Sequence, residues 1–237
     1  MKNRIWELDA FRGVCVLGMV AVHFVYDLVD LYKIISWQYP AWFAFVKQWG
    51  GVLFLLISGI CATLGRRSVR RGLIVFACGM IVTAVTYGMY ALNFSGKGII
   101  IYFGVLQCLG TCMILWPLFK KLPWPVLFVA GLALIFLGTW LRSQPRVDVW
   151  YWMPLGLPWK GFSSSDYFPI LPFFGYFLLG SGLGRTVYRS KQSLLPKVDA
   201  GNMFLRPLQF LGRHSLWVYL LHQPILSGIC MVLLMLK

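Results

Sequence analysis

The sequence predicts an all-α, polytopic integral membrane helix bundle of about seven transmembrane helices, with its N-terminus inside and its C-terminus outside. Three observations lead there. Of 237 residues, 59% are hydrophobic and only 12% are charged, where a soluble domain carries about 25% charged residues. The apolar residues come in blocks of about twenty, the length a helix needs to cross a hydrocarbon core. The net charge of +15 is not gathered on one face or tail, as nucleic-acid binding would require. The basic residues instead punctuate the apolar blocks, as topology signals do.

The blocks run over 10–31, 42–64, 72–92, 99–119, 123–141, 168–186 and 208–236. The N-terminal Met1-Lys2-Asn3-Arg4 is basic, but Glu7, Asp9 and Arg12 follow and no small-residue cleavage site closes the segment. The first span is therefore expected to be retained. Lys120-Lys121-Leu122-Pro123 makes a tight turn between the fourth and fifth blocks. The last block is long and opens on Arg213-His214, so its span is expected to start near Ser215, with 204–214 lying at the inner surface. No repeat, low-complexity stretch or linker divides the chain, which reads as one domain over 1–237.

The positive-inside rule sets the orientation. With the N-terminus inside, the inner side holds Lys2, Arg4, Arg12, Arg66, Arg67, Arg70, Arg71, Lys120, Lys121, Arg185, Arg189, Lys191, Lys197, Arg206 and Arg213. The outer side holds Lys33, Lys47, Lys97, Arg142, Arg146, Lys160 and Lys237, so fifteen of the 22 Lys and Arg residues lie inside and seven outside. The longest outer segment, 142–167, carries Trp150, Tyr151, Trp152, Trp159, Phe162 and Tyr167 among prolines. It reads either as an aromatic belt at the interface or as a platform for a sugar-like acceptor. Residues 33–48 are similarly aromatic. All six cysteines fall within apolar blocks without Cys-x-x-Cys spacing, and are read as small buried hydrophobes.

Ionisable groups within a span are costly and mark functional candidates. The first block holds Arg12, His23, Asp27 and Asp30. Arg12 and His23 are eleven residues apart, three helical turns, and so share a face with about 16 Å between them. That places His23 near mid-membrane when Arg12 is at the inner edge, with Asp27 one turn higher on the same side. Such an imidazole and carboxylate can act as an oriented general base, relay protons, or simply satisfy a contact between helices. Gln107 in the fourth block falls about 15 Å deep and can meet His23 at that level. Leu221-His222-Gln223-Pro224 brings a further imidazole and an amide beside a helix-perturbing proline. Together these groups suggest a polar cavity open to the cytoplasm.

The run Arg66-Arg67-Ser68-Val69-Arg70-Arg71 either faces anionic lipid or grips a phosphorylated cytosolic ligand with its planar guanidinium forks. No P-loop or dinucleotide fingerprint occurs, and the histidines lack metal-ligand spacing, so no metal is expected.

Three motifs carry a family resemblance. Leu8-Asp9-Ala10-Phe11-Arg12-Gly13, with the span that reaches His23, resembles the opening of the heparan-α-glucosaminide N-acetyltransferase catalytic-domain family. Gly104-Val105-Leu106-Gln107, then Leu109-Gly110, is similar to that family's G-V-L-Q-R-L-G run, with Cys108 in place of the arginine. Phe54-Leu55-Leu56-Ile57-Ser58-Gly59 fits as well, and Phe210 to Pro224 is similar to the closing motif of small bacterial members. The ten-residue gap between Arg12 and His23 is shared with the broader transmembrane acyltransferase superfamily.

The resemblance implies a bacterial inner-membrane acyltransferase with no permanently bound cofactor. Acetyl-CoA, or another acyl-CoA, would be the cytoplasmic co-substrate, and a hydroxyl or amine of a glycan or lipid-linked molecule at or beyond the outer face the acceptor. Arg66, Arg67, Arg70 and Arg71 would face the CoA phosphates, with Arg12 guiding the pantetheine arm. His23, oriented by Asp27, would deprotonate the acceptor, while Gln107 and His222 would steady the thioester oxyanion. The bilayer is the other partner, and homo-oligomerisation stays open. The competing expectations are a proton-coupled multi-pass transporter, on the strength of the mid-membrane His and Asp groups, and a non-catalytic membrane partner subunit.

Overall fold

The computed structural model describes residues 5–93 and 96–236. Lys2, Arg4 and Lys237, counted above as topology charges, lie outside the described residues. The protein is all-helical and polytopic. Among the described residues eight α-helices run in order: α1 Trp6–Tyr26, α2 Ala41–Leu64, α3 Ser68–Ala91, α4 Val105–Phe119, α5 Trp124–Ser143, α6 Ile170–Thr186, α7 Leu205–Arg213 and α8 Ser215–Met235. Each expected apolar block contains a helix. Among the described residues five segments are long and apolar enough to cross a membrane: Trp6–Leu31, α2, α3, α5 and α8.

Two blocks form shorter helices than expected. Helix α4 has 15 residues, and α6, with the non-helical Leu171 near its start, is regular only over 172–186, so each extends about 22 Å, short of a hydrocarbon core about 30 Å thick. The missing turns are taken by non-helical chain. After a 3-10 turn at Lys97–Ile99 the chain is extended at the β-branched Ile100, bends at Tyr102 and is extended again at Gly104. It is held against the segment before α6: Ser165 N–H donates to Ile100 O (3.3 Å) and Phe168 N–H to Phe103 O (2.9 Å). Pro169 stands at the N-cap of α6, and the chain kinks at Leu171 before its regular turns.

The chain divides into two compact units, Met1–Phe54 with Ser190–Lys237 and Leu55–Arg189. In the first, α1 carries Glu7 and Asp9 in its opening turn, where acidic groups complement the helix dipole. Its far end passes into a π-helical turn, Asp27–Leu31, closed by Tyr32 N–H donating to Asp27 O at 2.8 Å. Such one-residue insertions re-aim side chains and recur at functional sites.

Helix α7 lies backbone to backbone on α1. A Cβ on Gly212 would stand 1.8 Å from Asp9 O, and one on Gly13 would stand 2.0 Å from Leu208 O. Close approach of this kind is what small residues permit between helices. Arg213 adds an ion pair to Asp9 at 3.2 Å. The chain breaks at His214 as the sequence suggested, so that α8 begins at Ser215. Glu7 receives the preceding loop, accepting from Ser193 Oγ (2.9 Å) and Leu194 N–H (2.7 Å).

In the second unit α3 pairs with α4 and α5 with α6. Gly72 and Gly110 face each other so closely that a Cβ on either would meet the other's carbonyl oxygen within 2.8 Å. Arg185 closes the α4–α5 turn by donating to Lys120 O and Leu122 O.

Candidate active site

The first unit contains a continuous polar chain between α1 and α8. Asp27, at the start of the π-helical turn, is completely buried. Both its oxygens accept from Gln223 Nε2, at 2.8 and 2.9 Å. The other end of that amide, Gln223 Oε1, stands 3.2 Å from His23 Nδ1. His222 Nε2 approaches the same His23 nitrogen at 3.3 Å, the two rings meeting edge to face with centroids 4.9 Å apart. His222 is buried, and its Nδ1 lies 2.5 Å from Tyr219 O, one turn back along α8. His23 Nε2 has no partner among the described residues.

Helix geometry explains the assembly. His23 and Asp27 are four residues apart on α1 and so share a face. His222 and Gln223, adjacent on α8, both reach Nδ1 of His23. The sequence expectation that Asp27 orients His23 is modified: Asp27 holds the amide of Gln223, and it is the amide that touches the imidazole. In the sequence Gln223 stands out only as a neighbour of His222. The available signal was its place one residue from a buried histidine on a helix with no other amide.

The expected oxyanion role of His222 does not match its surroundings. The carbonyl of Tyr219 can only accept, so His222 Nδ1 carries the proton and Nε2 presents a lone pair toward His23. A neutral His222 therefore has no N–H to offer an oxyanion.

Toward one end of α1, Arg12 donates from Nη2 to Ser215 Oγ at 3.3 Å, while its buried Nε has no partner among the described residues. Ser215, the first residue of α8, is a contact that the sequence did not single out. Past the π-helical turn, Tyr39 donates to Asp30 Oδ2 at 2.6 Å, and Lys47 lies over the rings of Tyr26 and Tyr39. Burial, helped by the Asp30 carboxylate, pushes the Tyr39 hydroxyl up to about 12.

In the second unit, Gln107 serves α3 and α4. Its Oε1 accepts from Gly104 N–H (3.0 Å), and Nε2 donates to Gly79 O (2.9 Å) and Thr83 Oγ1 (2.7 Å). Both amide hydrogens are thus committed, leaving none for the oxyanion role the sequence suggested. Asp166, not singled out in the sequence, accepts from Val105 N–H at 3.0 Å and completes the N-terminus of α4. Arg66 and Arg67 form the turn between α2 and α3, Arg70 and Arg71 lie in the first turn of α3, and all four are exposed. Four guanidinium groups at a helix N-terminus suit a polyanion.

Among the described residues no group of three or more His, Cys, Asp or Glu side chains could hold a metal ion. The six cysteines are free thiols.

Two imidazoles, a buried carboxylate and an amide thus meet between two apolar helices of a polytopic helix bundle. The family described as "Heparan-alpha-glucosaminide N-acetyltransferase, catalytic" matches residues 4–224. The chain belongs to this family, and its class is that of membrane acetyltransferases. No curated protein and no solved structure matches it.

Proposed function

We propose that the protein transfers an acetyl group, or another acyl group, from cytoplasmic acyl-CoA to a hydroxyl or amine of a glycan or lipid-linked acceptor. The orientation is N-terminus inside, and the location is a bacterial inner membrane. One observation carries the reading within a chain of this family: His23 Nε2 has no partner among the described residues while its Nδ1 is held by Gln223 and His222. An imidazole held at one nitrogen and open at the other is the arrangement a general base needs.

In the proposed reaction His23 Nε2 accepts the acceptor's O–H or N–H proton as the freed lone pair attacks the thioester carbonyl. The C–S bond breaks as the new C–O or C–N bond forms. The proton on the imidazolium then passes to the departing thiolate, releasing CoA as the thiol and restoring His23. Asp27 acts at a distance, through Gln223, and is a positioning residue. Arg12, whose Nε has no partner among the described residues, is offered to the pantetheine arm or its phosphates. Arg66, Arg67, Arg70 and Arg71 are offered to the CoA phosphates, where a charge-assisted bidentate contact is strong.

The test uses the purified protein in nanodiscs with acetyl-CoA labelled in the acetyl group. Binding or turnover of the donor, and its loss in His23→Ala, is expected. Neither binding nor turnover, with His23→Ala indistinguishable from wild type, overturns the reading. Comparing cell-envelope glycans and lipids by mass spectrometry between wild-type and His23→Ala cells then identifies the acceptor through a missing acetyl mass. Rapid quenching without acceptor separates direct transfer from an acyl-histidine intermediate, since only the latter leaves acylated protein.

A further inference from the structure

We infer that Gln223 is a positioning residue that selects one tautomer of His23, transmitting the direction of the Asp27 carboxylate to the imidazole through a fixed side-chain amide. The inference rests on the acyl-transfer reading for its consequence in catalysis, but its structural content stands on hydrogen-bond geometry alone.

A side-chain amide is ambiguous by itself, because its two ends differ in donor and acceptor character but hardly in shape. Here the ambiguity is removed at one end. Asp27 presents two carboxylate oxygens, 2.8 and 2.9 Å from the same Gln223 atom, and a carboxylate accepts. The atom facing Asp27 must therefore be the NH₂ nitrogen. The reversed amide would set oxygen against oxygen in a completely buried site, losing the bonds and adding repulsion.

With that end fixed, the oxygen of Gln223 is turned toward His23. An amide oxygen only accepts, so the nitrogen 3.2 Å away, His23 Nδ1, must carry hydrogen. The neighbouring imidazole gives the same answer independently. His222 is held by Tyr219 O with its proton on Nδ1, so the Nε2 that faces His23 Nδ1 is a second acceptor. Two acceptors converge on one nitrogen. The alternative, with the proton of neutral His23 on Nε2, would place three lone pairs together at distances of 3.2 and 3.3 Å.

Neutral His23 is thereby left with its lone pair on Nε2, the atom without a partner among the described residues. The same two acceptors continue to hold Nδ1–H when Nε2 takes a proton, so the imidazolium is steadied without any rearrangement. The arrangement differs from a direct carboxylate–histidine pair. Asp27 remains fully buried against an amide, while the group that meets the imidazole is neutral. A neutral contact supplies direction without the large preference for the protonated ring that an adjacent carboxylate imposes.

The inference is tested on full-length protein in nanodiscs, with ¹⁵N-labelled histidine and the His23 resonances assigned by their loss in His23→Ala. Neutral wild-type protein is expected to show a protonated Nδ1 and a bare Nε2 at His23. The opposite tautomer overturns the inference, whatever the activity. In Gln223→Leu, where His222 Nε2 is the acceptor left at Nδ1, the Nδ1-protonated fraction of His23 is expected to fall without vanishing, and kcat to fall about 10- to 100-fold while KM for acetyl-CoA stays near wild type. Gln223→Glu, in which the new carboxyl shares a proton with Asp27 and keeps an oxygen toward His23, is expected to retain the tautomer and recover most of kcat. An unchanged tautomer and kcat in a folded Gln223→Leu protein overturns the assignment. Should that variant not fold, the wild-type tautomer and the Gln223→Glu protein decide. A wild-type protein without acyl transfer sinks the functional reading, yet the nitrogen resonances still settle the tautomer separately.

Discussion

At the scale of single residues, the two units depend on groups that admit little substitution. Gly212 and Gly13 let α7 and α1 touch through their backbones, and the atoms a new methyl would strike are carbonyl oxygens that cannot turn aside. Gly212→Ala is accordingly expected to cost at least the roughly 1–3 kcal/mol typical of overpacking, read as a lower unfolding midpoint in detergent. Gly18→Ala is the control: nothing lies within 4 Å of its added carbon, so it should be neutral or slightly stabilising. Gln107 makes the second case. Replacing it by leucine leaves Gly104 N–H and Gly79 O without its amide, and thermal denaturation should show a loss on the order of 2–4 kcal/mol. If Gln107→Leu instead unfolded like wild type but lost turnover, the oxyanion role suggested by the sequence would be restored.

At the scale of elements, the sequence was most informative where hydrophobic blocks and charges coincide. The break between α7 and α8 was legible because Arg213-His214 interrupts an otherwise apolar run. The face shared by Arg12, His23 and Asp27 followed from helical spacing. The shortening of α4 was not legible, because three consecutive isoleucines suit a buried span as well as an extended strand, and the partner segment that decides between them lies some sixty residues away. The same distance hid Asp166, whose carboxylate accepts from the first N–H of α4. Asp166→Ala should therefore fray α4 and lower stability by about 1 kcal/mol, while Asp166→Asn, which keeps an accepting oxygen, should lose less. Hydrogen exchange at Val105 and Leu106 measures the effect locally. Protection unchanged by Asp166→Ala would show that the contact contributes nothing to the helix end.

At the scale of the whole molecule, membership of an acetyltransferase family and helices long enough to span a bilayer make the side of each loop the next question that bears on chemistry. An acyl-CoA donor is cytoplasmic, so the proposed phosphate-binding arginines must face the cytoplasm for the reading to hold. Seven of 22 basic residues on the opposite side do not weaken this, because the rule concerns the imbalance across short loops. An orientation can be proposed from the charge bias alone, whereas the pairing of His23 with His222 and Gln223 was not legible in the sequence. Charge bias acts residue by residue during insertion, but the contact between α1 and α8 joins residues about 200 positions apart. The bias can be checked directly in a cysteine-free background. A cysteine at Lys160, an exposed position in the aromatic loop, should react in intact spheroplasts with a membrane-impermeant maleimide. A cysteine at Lys197, exposed in the loop before α7, should react only after permeabilisation. The reverse pattern would place Arg66, Arg67, Arg70 and Arg71 away from the CoA pool and remove them from the donor site. His23 would then need a donor delivered from the other face, which the cytoplasmic supply of acyl-CoA does not provide.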